Sequence, residues 1–274
     1  MCELLGMNTR QPAAITFSFR GFAKRGGETG HHTDGWGIAF YEETGCRVFL
    51  DDLPACSSPL ATWVQNYPIK SRIVMAHIRK ATQGAAGLAN CHPFQREWQR
   101  KAWTFIHNGN LTGYAPELDG TYRPIGQTDS ELAFCALLQH LRERFPRDGM
   151  PPAIELAEAI HEAATKIAHY GNFNFLLSQG DLLFAYCTSK LHYLQRRAPF
   201  NQAQLIDEDV SIDLREMNDA DDCMAIVATA PLTRNESWQK FDAGTLKLFE
   251  AGELHWESAV QAVPYFEPLN DPSL

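Results

Sequence analysis

The sequence predicts one α+β domain in which helices cover antiparallel sheet. Three observations carry that expectation. Short apolar runs separated by turn residues extend to Ile106, and two long stretches of helical periodicity follow. From Asn172 onward the texture is again that of strands. No internal repeat, low-complexity segment or linker interrupts the 274 residues, so a single domain over 1–274 is expected.

Cys2–Met7 reads as a short buried strand close to the terminus, which matters because chain ends fray unless a sheet holds them. Ile15–Ala23 reads as a helix broken by Lys24-Arg25-Gly26-Gly27. In His31-His32-Thr33-Asp34-Gly35-Trp36-Gly37-Ile38-Ala39-Phe40-Tyr41 the apolar end is a strand. Glu42-Glu43-Thr44-Gly45 turns it into a second, Cys46–Leu50. The adjacent histidines would point to opposite faces of an extended chain, which argues against a metal there. Leu60–Asn66 is a helix. Ile73–His77 is a buried strand running into Arg79-Lys80-Ala81-Thr82-Gln83-Gly84, a polar turn of the kind where binding groups sit. Asn90-Cys91-His92-Pro93-Phe94 reads as a loop. The strand Ala102–Ile106 ends in His107-Asn108-Gly109-Asn110, and Asn-Gly taken alone is a tight hairpin turn.

Thr128-Asp129-Ser130-Glu131 matches a capping box opening a helix over Asp129–Arg144, with Leu132, Phe134, Leu137, Leu138 and Leu141 on its apolar side. A second amphipathic helix runs from Ala153 to Ala168, and Gly171 ends it. Phe173–Leu177 and Leu182–Tyr186 flank the hairpin signal Gln179-Gly180-Asp181. Leu191–Arg197, Met224–Ala228, Thr245–Phe249 and Glu253–Trp256 are further strands, and acidic Asp207–Asp222 is a solvated loop or edge.

With 33 acidic against 24 basic residues and no run of Lys or Arg, nucleic acid is a poor partner. The seven cysteines include no CxxC pair, which argues against a zinc knuckle or thioredoxin-like site. Neither a secretory signal nor an apolar run of bilayer length is present, so a cytoplasmic, reducing location away from membranes is expected. There a free thiol at Cys2 survives. Cysteine is small enough for the preceding methionine to be removed, which leaves one residue carrying a thiol nucleophile and an α-amine. The amine's ordinary pKa of about 7.7–8.0 suits a general base.

Taken in order, Met1-Cys2, Asp34-Gly35-Trp36-Gly37-Ile38-Ala39, His77-Ile78-Arg79-Lys80-Ala81-Thr82, Asn90-Cys91-His92-Pro93-Phe94, His107-Asn108-Gly109 and Thr128-Asp129-Ser130-Glu131 resemble the class-II glutamine amidotransferases. These are members of the N-terminal nucleophile (Ntn) hydrolases. Length and the Ala228-Thr229-Ala230-Pro231-Leu232-Thr233 stretch are most similar to the stand-alone bacterial YafJ-type members. The resemblance implies a four-layer αββα sandwich of two antiparallel sheets covered by helices. It also implies amide hydrolysis through a γ-glutamyl thioester. Cys2 would be the nucleophile and its α-amine the base, with Asn108 Nδ2 and the Gly109 N–H as oxyanion donors. Arg79 would grip the substrate α-carboxylate, Thr82 would lie near it, and Asp129 would accept from the α-ammonium. His92 and Trp36 would have structural or loop-ordering roles. Neither metal nor cofactor is implied.

Three positions depart from the family pattern. Glu3 stands where a glycine often follows the nucleophile, placing a carboxylate beside the amine in a direction the sequence leaves open. Lys80 and Gln83 replace the Trp and His that couple the glutamine loop to an acceptor domain in sugar-amidating members. No Gly-rich phosphate loop or dinucleotide fingerprint marks a second domain. Three functions therefore stand open. The first is a glutaminase that supplies ammonia to a separate acceptor protein. The second is an amidohydrolase for another γ-glutamyl compound, and the third is a non-catalytic glutamine-sensing module.

Overall fold

The computed structural model describes residues 2–43, 45–67, 69–216 and 218–267. Met1, and Thr44 of the expected turn, lie outside them. In chain order the elements are β1 (Glu3–Ala14), α1 (Thr16–Lys24), β2 (Trp36–Glu42), β3 (Gly45–Asp51), α2 (Pro59–Asn66) and β4 (Lys70–Ile78). Next come β5 (Phe94–Trp98), β6 (Lys101–Leu111), α3 (Asp129–Arg144), α4 (Ala153–Ile167), β7 (Gly171–Ser178), β8 (Leu182–Cys187) and β9 (His192–Arg197). The chain then adds β10 (Gln202–Gln204), β11 (Ser211–Asp213), β12 (Cys223–Ala228), β13 (Gln239–Lys240), β14 (Thr245–Glu250) and β15 (Glu253–Glu257).

The strands form two large antiparallel sheets and a small ribbon of β10 and β11. One sheet has the order β13-β9-β12-β1-β4-β2-β3, the other β15-β14-β8-β7-β6-β5. Side-chain alternation sorts each strand between two layers. On β1, Leu5 and Met7 pack with Phe19 and Phe22 of α1, whereas Leu4 joins Ile106, Leu176 and Leu183 between the sheets. On β6, Trp103 and Phe105 pack with Phe134, Leu138 and Ile160 of α3 and α4. The layers are thus α1 and α2, sheet, sheet, α3 and α4, which is the αββα sandwich expected. Burying each large side chain of this kind contributes about 1.5–3 kcal/mol.

Local chemistry fixes the helix starts. Ser58 Oγ accepts from the Ala61 N–H at 3.1 Å ahead of Pro59, and Thr128 Oγ1 accepts from the Glu131 N–H at 3.2 Å. The capping box is only half made. Glu131 turns its carboxylate to the Gly126 N–H (2.7 Å) and to Arg96 (2.5 Å).

Several expectations need correction. Asn108-Gly109 is no hairpin turn: β6 runs on to Leu111, and Asn108 and Gly109 pair with Asn174 and Phe173 of β7. Pairing along the whole ladder overrides the local turn preference. β1 extends to Ala14, with a register shift between Asn8 and Ala13 where Pro12 cannot donate to a ladder. Phe94–Trp98 is a strand paired to β6, and in the acidic stretch expected to be a solvated loop or edge β11 pairs with β10 alone. Among the described residues no helix is long and apolar enough to cross a membrane, and no group of His, Cys, Asp and Glu could hold a metal ion.

Candidate active site

β1 is the central strand of its sheet, so the residue just before it is held on both sides. Leu4 pairs with His77 of β4, and beyond the end of β12 the Thr229 N–H donates to the Leu4 carbonyl at 3.1 Å. Cys2 Sγ meets the main chain of Lys80, accepting from its N–H at 3.3 Å and donating to its carbonyl at 3.4 Å. Burial pushes the thiol pKa up, opposed by the Lys80 backbone hydrogen bond and the Arg79 charge and reinforced by Asp129. A thiol in this setting holds its proton more firmly than a free cysteine. No imidazole or carboxylate among the described residues is hydrogen-bonded to it.

Glu3 turns away from that thiol. Its carboxylate meets Arg25 at 3.1 Å, and the same guanidinium binds Asp207 (2.8 Å) and the carbonyls of Ala230 (3.2 Å) and Pro231 (2.5 Å). Arg25 and Asp207 were not apparent as partners from sequence, because 182 positions separate them.

Arg79 is 2% exposed at the end of β4. Its guanidinium donates to the carbonyls of Gln83 and Gly84, both at 3.1 Å, and more weakly to that of Asp34 at 3.4 Å. Among the described residues no carboxylate pairs with it. The loop it gathers is tied down twice more. Asp34 Oδ2 accepts from the Ala81 N–H at 2.8 Å, and Gln83 Nε2 donates to Asn110 Oδ1 at 2.7 Å. Gln83 thus latches the loop to β6. Thr82 is exposed on this loop. Asp129, the first residue of α3, is 8% exposed and accepts from the Leu111 N–H at 2.7 Å. The helix N-terminus favours its negative charge.

Asn108 is fully buried on the inter-sheet side of β6. Its Nδ2 lies 3.4 Å from Thr229 Oγ1, and its Oδ1 has no partner among the described residues. At Gly109 a Cβ would sit 1.7 Å from the Asn172 carbonyl oxygen, so the close approach of β7 excludes any side chain. His92 packs in tilted contact between His77 (centroids 4.1 Å apart) and Phe94 (4.3 Å), all buried. Burial holds His92 well below the ordinary imidazole pKa and His77 down at about 3. Trp36 faces the other layer, 5.6 Å from Phe19, as core. The structure thus gathers Cys2, Arg79, Asp129 and Asn108 around the start of β1, with Thr82 on the rim and Trp36 apart. Other clefts lie elsewhere. One of about 350 Å³, lined by Met7, Phe17, Arg196 and Phe200 among others, touches none of these residues.

Known proteins resemble this chain. The family model for class-II glutamine amidotransferases matches residues 1–268. A protein of Escherichia coli that carries the name glutamine amidotransferase YafJ is 50% identical over 254 residues, 92% of this chain and 99% of that one. One of Haemophilus influenzae, also named a glutamine amidotransferase, is 46% identical over 253 residues, 92% of this chain and 85% of that one. The crystal structure of a predicted glutamine amidotransferase from Pseudomonas aeruginosa superimposes with a TM-score of 0.74 at 41% identity, covering 93% of this chain and 100% of that one. Glutamine phosphoribosylpyrophosphate amidotransferase from B. subtilis shares the fold alone, with a TM-score of 0.59 at 12% identity over 95% of this chain and 49% of that one. Matched nearly end to end by a half-identical relative and by the family model, the chain belongs to the class-II glutamine amidotransferases.

Proposed function

We propose that the protein hydrolyses a γ-glutamyl amide, L-glutamine in the first instance, with Cys2 as nucleophile and its own α-amine as base. One observation carries this reading. A half-buried thiol, with no side-chain base in contact among the described residues, lies in the fields of a buried cation and a buried carboxylate, Arg79 and Asp129. Neither is paired to the other, and together they complement the α-carboxylate and α-ammonium of an amino acid. In the reaction, the α-amine takes the thiol proton as sulfur bonds to the γ-carbonyl carbon. The resulting oxyanion is met by Asn108 Nδ2 and the Gly109 N–H. The amine returns its proton to the leaving nitrogen, the C–N bond breaks, and ammonia departs. Water, deprotonated by the same amine, then attacks the thioester and releases glutamate and the thiol. Thr82 contributes near the carboxylate, and a separate protein is the acceptor to which the ammonia is passed.

Glutamate release from L-glutamine by N-terminally processed protein, with Cys2→Ala as control, tests the reading. Release that vanishes in the variant is expected. Processed wild-type protein that leaves glutamine intact but turns over another γ-glutamyl amide would move the substrate assignment away from glutamine. Inertness towards both would remove hydrolysis altogether.

A further inference from the structure

Thr229 follows the last residue of β12 and is 2% exposed. It replaces the sheet ladder at the point where β12 ends. Its N–H donates to the Leu4 carbonyl, and its Oγ1 accepts from the Leu4 N–H at 2.9 Å. A threonine side chain therefore fixes the strand two residues from the nucleophile. The same Oγ1 lies 3.4 Å from the amide of Asn108.

The arrangement of donors and acceptors there is informative. With Asn108 Nδ2 toward Thr229, the hydroxyl oxygen receives two N–H groups, and the fully buried Oδ1 has no partner among the described residues. A buried acceptor left without a donor is destabilising. The oxygen and nitrogen of an amide are exchanged by a half-turn. After that exchange the Thr229 hydroxyl, while still accepting from Leu4, donates its own proton to Oδ1. Nδ2 then occupies the other side of the amide as an unspent donor. That is the state an oxyanion donor must have before substrate arrives.

We propose that Thr229 is a positioning residue that joins the nucleophile strand to the oxyanion donor: its hydroxyl holds the Leu4 N–H and orients the Asn108 amide with NH₂ toward the substrate. This rests on the amide-hydrolysis reading above. It adds to it a residue that does not touch substrate.

Thr229→Val removes the hydroxyl at nearly constant shape, and Thr229→Ser keeps it. In processed protein with glutamine as substrate, Val lowers kcat by ~10²-fold, as loss of one oxyanion donor does, with KM little changed. Ser stays within about threefold of wild type. In an Asn108→Ala background, Thr229→Val adds less than about threefold, because the donor it orients is gone. Exchange of the Leu4 amide hydrogen is faster in Val than in Ser. A kcat unchanged by Val, equal losses in Val and Ser, or a full additional loss on top of Asn108→Ala overturns the proposal. The Leu4 exchange does not depend on activity, so unchanged exchange in Val overturns the strand contact even if wild type proves inert. Wild-type inertness towards γ-glutamyl amides defeats the hydrolysis reading itself.

Discussion

Arg79 is a buried cation whose hydrogen bonds reach main-chain carbonyls rather than a carboxylate among the described residues. Such a charge is costly unless a partner arrives, and in the proposed reaction a substrate carboxylate is that partner. Lysine keeps the charge but loses the planar fork, so Arg79→Lys is expected to raise KM for glutamine by ~10-fold or more with a smaller change in kcat. Steady-state kinetics check this, and an unchanged KM contradicts the assigned contact. Asp129→Asn keeps a group able to accept from the Leu111 N–H while removing the charge, and it is likewise expected to act on KM. Residues of this kind were legible because their motifs are local. Thr229 and Arg25 were not, since their contacts to Leu4 and Asp207 join positions 225 and 182 apart.

At the scale of elements, the start of β1 is held by a small ion network. Arg25 and Glu3 are largely buried, with side chains 9% and 11% exposed. Arg25→Met leaves Glu3 and Asp207 as buried carboxylates without their cation, a loss of about 3–5 kcal/mol. Urea denaturation measures it, and a loss below about 1 kcal/mol would show the network to be incidental. The sequence located the start of α3 well because Thr128 caps it. It was misleading at Asn108-Gly109, whose turn preference is local while the strand pairing that overrides it involves β7, more than sixty residues on. The same pairing makes Gly109→Ala a folding defect as well as a catalytic one, because the Asn172 carbonyl occupies the space of the new methyl.

Across the whole molecule, three histidines are buried in water-poor layers, His77 and His92 side by side and His107 on the helix-facing side of β6, where it meets Ser130 of α3. His77, His92 and His107 all have pKa values lowered chiefly by burial. Folded, these rings stay neutral. The unfolded chain takes up their protons below about pH 6.5. Stability is therefore intact above that pH and falls as pH drops toward 3, where His77 protonates in the fold. Replacing His92 by Phe, which packs as well on Phe94 and cannot titrate, is expected to flatten the denaturation midpoint between pH 6.5 and 5 relative to wild type. An identical pH dependence in the variant would show that the buried histidines do not govern it. The αββα order was legible from the strand–helix–strand sequence and the family motifs. The burial of these histidines was not, since it arises only where β4, β6 and the Asn90–Phe94 loop meet.

The account depends most on the base being the amine of Cys2 itself. The most direct measurement compares glutamate release by two forms of the wild-type sequence, one with Met1 removed and one with Met1 retained, their states verified by intact mass. Release confined to the processed form is what the account predicts. Equal turnover by the form that retains Met1 would contradict it and require another base for the Cys2 thiol.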